Sequence, residues 1–313
     1  MHYGAAETHG LTTHFMSAFR ILHRAAAAVS PRASRRDPLA AFAQRAEISR
    51  NFIIETENYF LEGFLFTESG TIFITFEHAG GPLERPQKYR PGWGAGFLRV
   101  QRRDHIAVKP KRKDWYTRPD LPEILAQLRG LFSQYDEVVT YGGSMGGFAA
   151  LTFADLIGAT TVIAIAPQST LDPRKVPWDN RFPPAKDCDF SGPYGDAVGK
   201  FAKAARVLIV LDRYCVPDMR HLARLSGGNM QVLNLPFLGH TLAADMQRMG
   251  LLAYLIASIS AGSFSKTEFH AIARRRREIP HYLEALHEKA EGRPAWLRVT
   301  AQRLQALPAA RTG

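Results

Sequence analysis

Between Asn51 and Phe66 apolar and polar residues alternate around Tyr59 and Phe60, which predicts edge strands or a hairpin. Thr71-Ile72-Phe73-Ile74-Thr75-Phe76 is a compact β-branched and aromatic run, the pattern of a buried strand, and His105-Ile106-Ala107-Val108 is a shorter one. The period then changes. Leu121, Ile124, Leu125, Leu128, Leu131 and Phe132 fall at helical spacing, so a helix is predicted over 121–135. Further strands are expected after Val138, over Thr160 to Ile165, Val207 to Leu211 and Gln231 to Leu235. Helices are expected over Met219 to Leu225 and, as one long element, Leu242 to Ser260. This rhythm predicts an α/β fold with a doubly wound, mostly parallel sheet. Ligands of such sheets bind beyond the carboxyl ends of the strands.

The ends of the chain depart from that rhythm. Residues 1–48 carry basic residues and an alanine run, and are expected to form a partly disordered or helical arm. An α/β domain over 49–262 follows. Residues 263–313 are polar, charged and helical in spacing, with Pro280 and Pro294 as interruptions, and are expected to form an appended helical tail.

The most specific local signal is Val138-Val139-Thr140-Tyr141-Gly142-Gly143-Ser144-Met145-Gly146-Gly147-Phe148-Ala149-Ala150. A β-branched strand enters Gly-x-Ser-x-Gly and small and apolar residues suited to a helix follow, the form of a nucleophile elbow. In such a turn the serine backbone is strained, and a Cβ at Gly142 or Gly146 would collide with neighbouring chain. The next amides point out of a helix N-terminus, where negative charge is stabilised. The plainer alternative is a glycine-rich turn whose serine caps the helix.

A serine nucleophile needs a base, and the base needs a carboxylate. His240 has the best context of the 11 histidines, on a short loop after a predicted strand. Asp212, directly after the strand Val207 to Leu211, is the favoured acid. Asp218, before Met219-Arg220-His221-Leu222, competes with it, although a helix-capping role would explain it. Ser144, Asp212 and His240 would all open onto one rim of the sheet.

Gly-Gly-Ser-Met-Gly-Gly followed by an alanine-rich helix resembles the α/β-hydrolase superfamily, over about residues 50 to 260. The resemblance implies a sheet of the α/β-hydrolase type and the triad order Ser144, Asp212, His240. The segment Asp212-Arg213-Tyr214-Cys215-Val216-Pro217 is similar to the family's acid loop, but lacks the glycine and spacer that commonly precede the acid. The oxyanion hole would use the Met145 amide and one from the loop Glu77-His78-Ala79-Gly80-Gly81, which resembles a degenerate His-Gly-Gly motif and points to the His78 region. Trp93, Trp115 and Tyr116 are candidates for pocket walls.

The implied activity is a serine hydrolase acting on a carboxylic ester through an acyl-serine intermediate. An acyltransferase with the same triad, or a non-catalytic accessory or assembly protein on this scaffold, are the alternatives. Some similar chains serve bacterial export or surface-glycan pathways. The substrate would be a small-molecule or glycan ester. No cofactor or metal is implied.

Composition changes this picture only in part. The chain has 313 residues and a formal charge of +11, with basic runs at Arg32 to Arg36, Arg99 to Lys113 and Arg274 to Arg277. These read first as solvated faces; nucleic-acid binding lacks any zinc-finger or aromatic RNA-binding pattern. The run from Arg99 to Lys113 raises the expectation of an anionic substrate, and the arm and tail are candidate protein-binding elements. Two cysteines exclude a disulfide framework and suggest a reducing cytoplasm. No apolar run reaches the length of a membrane span.

Overall fold

Near-continuous buried runs along the central strands call for cover on both faces of the sheet. In the computed structural model, which describes residues 20–23, 50–66, 70–80, 88, 90–227 and 229–306, nine strands form one sheet among the described residues. In chain order they are β1 (Arg20–His23), β2 (Arg50–Glu55), β3 (Tyr59–Leu65), β4 (Thr71–Phe76), β5 (Asp104–Pro110), β6 (Glu137–Gly143), β7 (Thr161–Ile165), β8 (Arg206–Leu211) and β9 (Met230–Asn234). Their spatial order is β1-β2-β3-β5-β4-β6-β7-β8-β9. The pairs from β1 to β3, and β3 with β5, are antiparallel, whereas all pairs from β5 through β4 to β9 are parallel. The fold is therefore the expected mostly parallel, doubly wound sheet of the α/β-hydrolase type.

Both faces of the sheet are covered, as a parallel sheet requires. Along β4, Ile72, Ile74 and Phe76 enter one core with Phe148 and Phe153, while Phe73 enters the other with Tyr141, Leu208 and Val210. The helical tail is present and completes that second core. Phe269, Ile279, Tyr282 and Leu283 are buried there beside residues of β6 to β9. Its interior is continuous with the sheet.

Several boundaries differ from the sequence pattern for identifiable reasons. The helix expected over 121–135 divides at Leu128 into Asp120–Gln127 and Arg129–Phe132, although every apolar position named for it is buried. The long helix expected to Ser260 breaks at Gly250, whose φ of 80° ends Ala243–Met249 and starts Leu251–Ser260. Pro280 and Pro294 open the helices Pro280–Glu288 and Pro294–Ala306 rather than interrupting one, because proline suits a first helical turn. Most of the arm predicted over 1–48 lies outside the described residues, but Arg20–His23 pairs with β2 as an edge strand. No described helix is long and apolar enough to cross a membrane.

Candidate active site

Ser144 follows β6 directly and precedes the helix Met145–Thr152, with φ 52° and ψ −116°. That backbone conformation is costly for a non-glycine residue and is held by its surroundings. The Ser144 N–H donates to the Ile165 carbonyl of β7 at 2.8 Å. A Cβ on Gly142 would run into the Gly146 carbonyl, and one on Gly146 into the Phe76 carbonyl. The elbow is thus packed against the end of β4, which brings the Glu77–Gly80 loop beside it.

Ser144 Oγ lies 2.9 Å from Nε2 of His240. The other ring nitrogen, Nδ1, lies 2.9 Å from each carboxylate oxygen of Asp218. Asp218 is buried and His240 retains 19% exposure on its side chain. Since the carboxylate only accepts, Nδ1 carries a proton and Nε2 is free to accept the serine proton.

Asp212 occupies a different place from the one expected of it. Its Oδ1 accepts the Tyr214 N–H at 2.9 Å and its Oδ2 accepts the Gly239 N–H at 2.8 Å. Both oxygens are spent on backbone, and the carboxylate braces the loop after β8 against the loop after β9. Directly at the strand end, Asp212 meets the backbone of the histidine loop, and Asp218 in the first turn of helix Val216–Leu222 reaches the ring. Asp218 does not cap that helix; Cys215 holds the cap position.

Burial pushes the Asp218 carboxyl up, but the hydrogen bonds and charges of His240 and Arg181 outweigh it and hold it below the ordinary aspartate value. Arg181 Nη1 donates to Asp218 Oδ1 at 2.9 Å, and its Nη2 and Nε donate to the two oxygens of Asp179 at 2.7 and 2.9 Å. Asp179 in turn accepts from Nε2 of His221 at 2.7 Å. The Ser169 N–H donates to His221 Nδ1 at 3.1 Å, which fixes His221 with its proton on Nε2. Burial lowers the His221 pKa, with Asp179 opposing.

A residue that the sequence pattern does not single out, Gln168, touches the serine. Its Nε2 donates to Ser144 Oγ at 3.1 Å and its Oε1 accepts the Trp115 indole N–H at 3.2 Å. An indole can only donate, so the amide orientation is fixed with its NH₂ toward the serine. Its place just beyond the carboxyl end of β7 was the available signal. Trp115 and Tyr116 adopt positive φ values of 48° and 56°. Trp115 is fully buried and lies 5.5 Å from the Phe182 ring, which is 5.6 Å from His240. Tyr116 is also buried, its hydroxyl donating to the Glu77 carbonyl at 2.9 Å. Both are core-side supports rather than open walls.

Met145 is buried at the first position of its helix, where a backbone N–H has no intrahelical acceptor. His78 is half-buried; its Nδ1 accepts the Gly80 N–H at 3.0 Å, and its ring meets Trp93 edge-on at 6.2 Å. Burial lowers the His78 pKa. Trp93 packs on Tyr141 at 4.6 Å.

Three cations of the basic run from Arg99 to Lys113 are paired with carboxylates. Arg99 pairs with Glu62 at 2.6 Å and lies over the Phe64 ring. Lys109 is buried against Glu62 and two carbonyls, and Lys111 pairs with Glu55. Lys109 thereby joins β5 to β3, Arg99 joins its helix to β3, and Lys111 joins the end of β5 to β2. Cys188 and Cys215 are both free thiols.

No family model and no curated protein matches this chain. Similar solved structures include an esterase of Pyrobaculum calidifontis, at 12% identity and TM-score 0.46, covering 72% of this chain and 89% of that one. The capsule O-acetyltransferase of Neisseria meningitidis serogroup A is similar at 14% identity and TM-score 0.45, covering 70% and 99%. The fluorophosphonate-binding serine hydrolase F of Staphylococcus aureus is similar at 13% identity and TM-score 0.41, covering 72% and 97%. Likenesses this distant concern the path of the chain and lend no residue a role.

Proposed function

We infer that the chain is a serine hydrolase that cleaves a carboxylic ester. The observation that carries this reading is the relay of 2.9 Å contacts from Ser144 Oγ through His240 to Asp218. Ser144 Oγ attacks the ester carbonyl carbon while His240 Nε2 takes its proton. The tetrahedral oxyanion is received by the Met145 N–H and an amide of the loop at His78. Collapse breaks the ester C–O bond, and His240 returns the proton to the departing alkoxide. Water then attacks the acyl-serine with the same base, releasing the acid and restoring Ser144.

Asp218 holds the ring in the tautomer that leaves Nε2 free and stabilises the imidazolium formed in each half-reaction. Gln168 steadies the hydroxyl oxygen in its ground state. An acyltransferase would share every step but the last, with an alcohol acceptor in place of water.

The test is labelling of the purified protein by a fluorophosphonate, alongside hydrolysis of p-nitrophenyl acetate. Labelling is expected in the wild type and absent from Ser144→Ala, and strongly slowed in His240→Ala. A folded wild type that neither labels nor hydrolyses would overturn the reading and favour a scaffold protein.

A further inference from the structure

A cleft of about 740 Å³ lies on the side of the histidine loop turned toward the helical tail. It is bounded by the segments after β8 and β9, by the turn Ala273–Glu278, and by the helices Pro280–Glu288 and Pro294–Ala306. Six cations line it: Arg213, Arg276, Arg277, Lys289, Arg293 and Arg303. Among the described residues no aspartate or glutamate does.

Four arginines elsewhere in the molecule make a chemical contrast. Arg90, Arg99, Arg181 and Arg224 each meet a carboxylate. None of the six cleft cations has an ion pair among the described residues. Like charges gathered in a concave site raise one another's energy, and a bound polyanion relieves that cost. Guanidinium groups suit phosphate oxygens in particular, because the planar fork can donate two parallel hydrogen bonds.

The second half of the lining is aromatic. Tyr214 stacks on Phe237 at 4.4 Å with planes 19° apart, and Phe237 meets Tyr282 edge-on at 6.2 Å. Tyr214 and Trp296 remain 47% and 51% exposed; Phe237 and Arg213 occupy the Tyr214 ring, whereas no other aromatic ring stacks on Trp296 among the described residues. Arg213, Arg276 and Arg293 lie over Tyr214, Tyr282 and Trp296 respectively, at 4.9 to 5.8 Å, which positions the cations along the aromatic surface. A planar ring joined to at least two negative charges would satisfy both halves. The volume is that of a small-molecule site.

We propose that this cleft binds a nucleoside diphosphate, with its base on the exposed Trp296 ring and its phosphates on the arginines. Phe237 belongs to the cleft and stands three residues before His240, so the bound nucleotide borders the loop that carries the base. The inference stands apart from the esterase reading, because no cleft residue is part of the Ser144–His240–Asp218 relay.

ADP is titrated into the full-length protein and followed by calorimetry and tryptophan fluorescence. Adenosine, inorganic pyrophosphate and an oligothymidylate serve as comparators. Saturable ADP binding is expected, tighter than that of adenosine or pyrophosphate and falling as salt rises. Trp296→Ala should weaken it about tenfold through lost base stacking, and Arg293→Ala together with Arg303→Ala by about tenfold or more through lost charge-assisted bonds. Ser144→Ala should bind ADP as the wild type does, which separates failure of the cleft from failure of the triad. Absence of saturation at millimolar ADP overturns the proposal. So does pyrophosphate binding as tightly as ADP with Trp296→Ala silent, which would make the cleft a plain anion patch. Oligothymidylate binding more tightly than ADP overturns it in favour of nucleic acid.

Discussion

Two serine–histidine–aspartate groupings lie within one hydrogen-bonded network, and they differ in how they use the imidazole. At the rim, Ser144 meets Nε2 of His240 while Nδ1 faces Asp218. Below it, Ser169 Oγ meets Nδ1 of His221 at 3.0 Å while Nε2 faces Asp179. In the second group Nδ1 already accepts a backbone N–H, and Arg224 Nη1 donates to Ser169 Oγ at 2.7 Å. Ser169 and His221 are wholly buried, whereas the His240 side chain keeps 19% exposure. Similar residues at similar distances therefore differ in lone-pair assignment and access, which suits the rim group to the proposed reaction and the buried group to bracing.

The sharpest way to break this contrast is to delete each hydroxyl. Ser144→Ala should reduce kcat for ester hydrolysis by about 10⁶-fold. Ser169→Ala should keep fluorophosphonate labelling and lose only stability. Equal loss of labelling in both would erase the distinction.

Next comes the choice of carboxylate. Asp218→Asn is expected to lower kcat by about 10⁴-fold, since an amide in its place no longer fixes the tautomer. Asp212→Asn should instead lower the melting temperature, with labelling preserved, because its oxygens hold the Tyr214 and Gly239 amides. A reversal of these outcomes would restore Asp212 as the acid.

Arg181 links the two groups, so Arg181→Met tests whether they communicate. Removing it leaves Asp179 and Asp218 buried with fewer partners, at a cost of roughly 3 kcal/mol in a denaturation experiment. With its counter-charge gone, Asp218 acts more strongly on His240, and the acidic limb of the kcat/KM profile should move to higher pH. A profile that stays in place while stability falls would confine Arg181 to the foundation.

The smallest effect concerns a carboxylate outside both groups. Burial raises the Asp114 pKa to about 6 from 3.8, despite hydrogen bonds from the Tyr116 N–H and Tyr59 hydroxyl. The folded state then holds the proton more firmly than the unfolded chain. The contribution is fully present below pH 3.8 and is lost as pH rises through about 6. The stability of wild type relative to Asp114→Asn should therefore fall across that window. A flat difference would show that Asp114 ionises as freely as in the unfolded chain.

Much of the sheet was legible because β-branched runs such as Thr71–Phe76 and Val207–Leu211 leave little choice of structure. The elbow was legible too, since Gly142 and Gly146 answer steric demands made by the carbonyls around them. The acid was harder. Asp212 and Asp218 sit in one short segment, and only the three-dimensional reach of the helix at Val216 separates a loop brace from an imidazole partner. Gln168 was hidden for another reason: its contact depends on Trp115, which is distant in sequence. In the basic run from Arg99 to Lys113 linear charge density did not show which cations pair: Arg99 and Lys111 meet carboxylates of β3 and β2.

The bracing role of Asp212 ties two loops to one side chain. Its loss would not stay local. The Tyr214 and Gly239 amides would lose their acceptors together, and the loop bearing His240 would be freed in the same step. A change at a carboxylate that never touches the imidazole would thereby reach it through the main chain.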